Sequence, residues 1–106
     1  MPKYLITGSY TQAGIKGVIG EGGSGRRDAV EKLASSVGGR LESFYFGFGS
    51  EDFYVTVDVP GNEAAAAVAM TVAAAGGATA RTVVLLTPEE VDAATKLSPN
   101  YRAPGG

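Results

Sequence analysis

Apolar and polar residues alternate at every second position across Arg40 to Pro60, a pattern that predicts a β-hairpin. Phe44, Phe46 and Phe48 share one side of its first strand, and Phe53, Val55, Val57 and Val59 share one side of its second. Gly49-Ser50-Glu51-Asp52 supplies turn residues between them. Pairing Phe48 with Phe53 sets Phe46 opposite Val55 and Phe44 opposite Val57, so that every large apolar side chain falls on one face. A slip of one residue would send half of them to the other side. The opposite face then carries Ser43, Tyr45, Gly47, Tyr54, Thr56 and Asp58, and any function is sought on that polar and aromatic surface.

The flanking segments complete the architecture. Lys3 to Tyr10 reads as a strand, with Leu5, Thr7 and Ser9 on one face and Tyr4, Ile6, Gly8 and Tyr10 on the other. Thr11 to Gly14 has turn composition. A helical stripe of Val30, Leu33, Ala34 and Val37 follows Arg26, with Arg27–Glu31 and Asp28–Lys32 spaced as i,i+4 pairs on the outer side. Upstream, Gly20-Glu21-Gly22-Gly23-Ser24-Gly25 opposes helix by about 1 kcal/mol per Gly, and whether it is helix or loop stays open on propensity. Gly38-Gly39 ends the helix.

Asn62 is placed as the N-cap of an almost all-Ala helix, Glu63 to Ala75, whose small side chains demand tight packing. Ala78 to Leu86 reads as a fourth strand, apolar on both faces. Thr87-Pro88-Glu89-Glu90 forms a capping box for a short helix to about Leu97. Residues 1–97 make one domain, and 98–106 read as a flexible tail.

Strand, helix, strand, strand, helix, strand is the ferredoxin-like βαββαβ order of an α+β sandwich. Helices on one side leave the other face of such a sheet bare. Because the fourth strand is apolar on both sides, a second subunit is expected to cover that face, giving a dimeric α+β barrel. Thr56 is expected near its middle, opposite Tyr45.

Composition narrows the chemistry. A length of 106 residues suits one modest core. Net charge is −2 with 19% charged residues, which gives no electrostatic case for nucleic acid or for a membrane surface. No segment has the ~20 apolar residues of a membrane span and no secretory signal opens the chain, so a cytoplasmic protein is expected. Without Cys or His there is no disulfide, no thiol nucleophile, no imidazole base and no metal set of the usual N/S kind. No cofactor is implied.

Three runs carry a resemblance. Glu21-Gly-Gly-Ser-Gly-Arg-Arg-Asp-Ala-Val-Glu-Lys-Leu, Gly39-Arg-Leu-Glu-Ser-Phe-Tyr-Phe-Gly-Phe-Gly and Leu85-Leu-Thr-Pro-Glu-Glu resemble the GYD-domain family over roughly Tyr4 to Ala94. The resemblance implies a fold of the dimeric α+β barrel type, with no established activity. It also implies that helix continues from about Ala13 to Val37, through the Gly-rich run. One departure stands out: Glu51 occupies the place where the family's Gly-Tyr-Asp turn has Tyr, which puts in doubt any role that depends on that ring.

Two groups of candidate site residues emerge. Gly20-x-Gly22-x-x-Gly25 matches the dinucleotide fingerprint in letters only, since the preceding strand ends ten residues earlier. A milder reading takes Ser24, Arg26 and Arg27 as an anion site at a helix N-terminus, against a plain solvated helix face. The second group is Tyr45, Tyr54, Thr56 and Asp58, joined by Thr7, Ser9 and Arg81 if the outer strands share that phase. It suits a small polar-aromatic ligand, with Asp58 as a candidate general base, or simply a subunit interface. The favoured function is a non-enzymatic homo-oligomeric module binding a small molecule or partner. The alternative is a cofactor-independent enzyme, monooxygenase- or isomerase-like.

Overall fold

Four antiparallel strands form where the alternation predicts them. The computed structural model describes residues 1–106. In chain order the elements are β1 (Lys3–Tyr10), α1 (Gln12–Ser36), β2 (Arg40–Phe46), β3 (Phe53–Asp58), α2 (Asn62–Ala75), β4 (Ala78–Leu85) and α3 (Pro88–Thr95). The sheet order is β2-β3-β1-β4, with α1 and α2 on one face. Tyr4, Ile6, Val55 and Val57 point to the helices, and the core gathers there around Tyr4, Phe53, Val55, Val57 and Val59, with Ala34 and Ala65 from the helices. Gly8 lies between β3 and β4 under the Phe53 ring; a Cβ there would strike that ring and the β4 backbone.

The α+β sandwich is present, but the barrel is not. β2 and β4 are free edges of an open sheet. The expectation of a dimeric α+β barrel rested on β4 being apolar on both faces and therefore covered. Instead Val83 and Val84, on opposite faces, are both exposed. Alternation shows which side chains share a face; it does not show that a sheet closes.

The hairpin keeps its predicted faces but not its predicted pairs. Phe46 opposes Phe53, Phe44 opposes Val55 and Tyr45 opposes Tyr54, with a register shift between Leu41 and Ser43. The pairing is displaced by two residues, which preserves the period of a strand. Phe48 is thereby expelled and is 104% exposed. Asp52 accounts for this displacement. Its carbonyl accepts from Gly47 N (2.9 Å) and its N–H donates to Gly8 O (2.7 Å). Its carboxylate accepts from Tyr10 N at 2.9 Å. These bonds hold the Gly47–Asp52 connection against β1 and end the β2–β3 ladder at Phe46. Thr56 consequently faces Ser43, not Tyr45.

Thr11 caps α1, its hydroxyl accepting from Gly14 N at 3.1 Å. The Gly-rich run is helical on both sides of one break, Gly22, whose φ of 82° suits only a residue without a Cβ. The expected outer pairs of α1 do not form; Arg27 meets Asp28 at 3.5 Å and Arg26 approaches Glu21 at 3.9 Å. Asn62 is not the cap of α2. Gly61 occupies that place, and Asn62 Oδ1 accepts from the buried Tyr4 hydroxyl at 2.6 Å. The capping box of α3 forms as predicted, with Glu90 N to Thr87 Oγ1 at 3.1 Å and Thr87 N to Glu90 Oε1 at 2.8 Å. All residues from Pro88 to Gly106 are exposed.

Candidate functional site

The uncovered face of the sheet brings most of the second group together. Strand pairing sets Tyr45 beside Tyr54, Tyr54 beside Thr7, and Thr7 beside Arg81. Tyr45 and Tyr54 are exposed, at 70% and 40%. Thr56 exchanges a 2.5 Å hydrogen bond with Ser43. Ser9 lies on the same face, opposite Thr79. The result is a flat tyrosine and hydroxyl surface.

Asp58 sits at the end of that face, in an ion-pair cluster. It is 3% exposed. Lys3 Nζ donates to its Oδ1 at 2.9 Å and reaches Glu42 Oε2 at 2.6 Å. Arg40 Nη2 stands 2.8 Å from Oδ2, but at an angle that leaves Oδ2 without an aligned hydrogen bond. The Lys3 hydrogen bond, with the Lys3 and Arg40 charges, holds the carboxyl below its usual range against the opposing effect of burial. The same bonds to Asp58 and Glu42 raise the Lys3 ammonium. A carboxylate stabilised in this way is a weak base. These ion pairs link Asp58 of β3 to Lys3 of β1 and Arg40 of β2.

The other group is divided. Ser24 and Arg27 are exposed, with Arg27 directed to Asp28. Arg26 is half-buried and shares the i, i+4, i+7 stripe with Val30 and Leu33.

That stripe borders a cavity of about 170 Å³ between α1, α2 and the helix-side face of the sheet. Its walls include Ile6, Val30, Phe44, Phe53 and Val55 opposite Val68, Ala69 and Val72. Of its sixteen lining residues thirteen are hydrophobic, and Arg26 is the one that carries a charge. Tyr10 brings a hydroxyl; its ring packs on Phe53 at 5.1 Å and near Phe46 at 6.4 Å. Burial raises the Tyr10 pKa, the nearby Arg26 charge opposes this, and the Asp52 and Glu21 charges add to it. The phenol is therefore a neutral donor at pH 7. The cavity lies beside α2, whose Ala65 and Val68 are buried while Ala69, Val72 and Ala75 line the space.

A family model described as the GYD domain matches residues 4–95. The chain belongs to the GYD-domain family. No curated protein and no solved structure matches it. In this GYD domain Glu51, in the turn between β2 and β3, is buried and ion-paired with Arg81 of β4. No helix is long and apolar enough to cross a membrane, and no group of three or more Asp or Glu residues converges as a metal site. Sequence reasoning sought the site on the tyrosine face and did not select Tyr10 or the cavity. The available signal was the stripe that sets Arg26 four residues before Val30 and seven before Leu33.

Proposed function

We propose that this GYD-domain protein is a non-enzymatic binding module, and that its small-molecule site is the cavity between α1, α2 and the sheet. The observation that carries this reading is an apolar space of about 170 Å³. An apolar cavity of roughly 150 Å³ is large enough to hold benzene. Asp58 and Thr56 lie on the opposite face of the sheet, so the cavity holds no carboxylate base. Toluene at millimolar concentration is expected to shift the amide resonances of Ile6, Val30 and Ala69. Ala69→Phe, which fills the space, is expected to abolish those shifts. Shifts confined to Tyr45, Tyr54 and Thr56 would move the site to the uncovered face and overturn the assignment.

A second reading, homo-oligomerisation, has its own support. Val83 and Val84 are exposed on the two faces of the edge strand β4, and Leu86, Val91, Leu97 and Tyr101 follow, also exposed. The concentration of large exposed apolar side chains in this part of the chain supports an interaction surface there. Light scattering on wild type and Val83→Lys is expected to show an oligomer that the ammonium weakens. A well-folded wild-type monomer at micromolar concentration would refute it.

A further inference from the structure

We infer that the cavity selects a small apolar molecule ending in a carboxylate, of about the size of a one-ring aromatic acid. This rests on the cavity being the binding site, and adds the chemical class of what enters it.

Size sets the apolar part. The space exceeds the roughly 150 Å³ that admits benzene, which leaves room for one ring and a short substituent. Charge sets the other end. Arg26 is the single charged residue on the wall, and its only ion pair in the chain, with Glu21, spans 3.9 Å. That is too long for a hydrogen bond, so the guanidinium keeps its donors available. A planar guanidinium matches a carboxylate by two parallel N–H donors. Tyr10 adds a neutral hydroxyl donor on the same wall. A cationic ligand would meet Arg26 unfavourably, and a bare inorganic anion would leave the apolar walls unfilled.

The position of Arg26 comes from the break at Gly22. Glu21 ends the first helical segment and Arg26 lies in the first turns of the second, on the stripe that continues to Val30 and Leu33. Glu21 is thus the internal competitor for the same guanidinium.

Benzoate, benzamide and benzylamine are closely matched in shape and differ in charge, which makes them suitable probes for the full-length chain, with binding followed by amide chemical shifts. Benzoate is expected to bind roughly five- to tenfold more tightly than benzamide, and benzylamine more weakly than either. Arg26→Gln is expected to abolish the preference for benzoate over benzamide. Glu21→Gln is expected to raise benzoate affinity by a few-fold without affecting benzamide. Equal binding of benzoate and benzamide to the wild type would overturn the carboxylate inference and leave the cavity reading standing. Failure of all three probes to shift any cavity amide while toluene still does so would overturn the carboxylate inference alone, and failure of toluene as well would overturn both.

Discussion

Replacing Asp58 by Asn tests the ion-pair cluster that joins β1, β2 and β3. The substitution keeps the volume and removes the charge. Asn offers Lys3 a neutral acceptor, and its amide must place two donors between an ammonium and a guanidinium. The native carboxylate is 3% exposed, bonded by Lys3 at 2.9 Å and flanked by Arg40 at 2.8 Å. Hydrogen bonds to charged groups contribute ~1.5–3 kcal/mol. Here both cations are partly exposed, so water screens the pair and solvates them when it is broken. The expected loss at pH 7 is therefore about 1–2 kcal/mol, and a domain of this size moves roughly 4–8 °C in Tm per kcal/mol.

The pH dependence has a definite sign. The Asp58 pKa is lowered on folding, chiefly by the Lys3 hydrogen bond. Its contribution is then fully present above the unfolded value, near about 3.9. It is lost as pH falls through the lowered folded value. Urea unfolding followed by circular dichroism, at fixed protein concentration, should show wild type above Asp58→Asn at pH 7. The gap should close in acid. Equal stability at pH 7, or a gap unchanged well below the ordinary carboxylate range, would refute the argument.

Two further outcomes follow from the fold. Phe48→Ser should leave stability unchanged within about 0.5 kcal/mol, because the ring is fully exposed; a loss of ~3 kcal/mol in urea unfolding would place the ring in the core after all. Thr87→Ala should cost about 1 kcal/mol of local helix stability in α3. Since α3 is exposed throughout, amide exchange over Pro88–Thr95 should accelerate while the global Tm holds, and a comparable fall in Tm would show that α3 is packed.

The sequence by itself determined which residues within a strand share a side, but not the phase of the first and last strands relative to the hairpin. Leu5 and Thr7 share one side of β1, and Tyr54 and Thr56 one side of β3, because backbone geometry alternates side chains; that the two pairs lie on the same face came from the pairing of Leu5 with Thr56 and Thr7 with Tyr54. The α3 capping box was equally legible, because its partners lie three residues apart. Pairing needed more. The two-residue displacement that expelled Phe48 is set by Asp52 bonding to Gly8 and Tyr10 of β1, residues more than forty positions away. The same kind of separation hid Lys3 as a partner of Asp58, 55 positions away. Whether the sheet closes, and whether the helices fill the space over it, are questions of separation between elements, which no periodicity encodes. Tertiary structure decided both: it left the sheet open and a cavity under the helices. Side-chain volume fills space only where the backbones are close enough to bring it there.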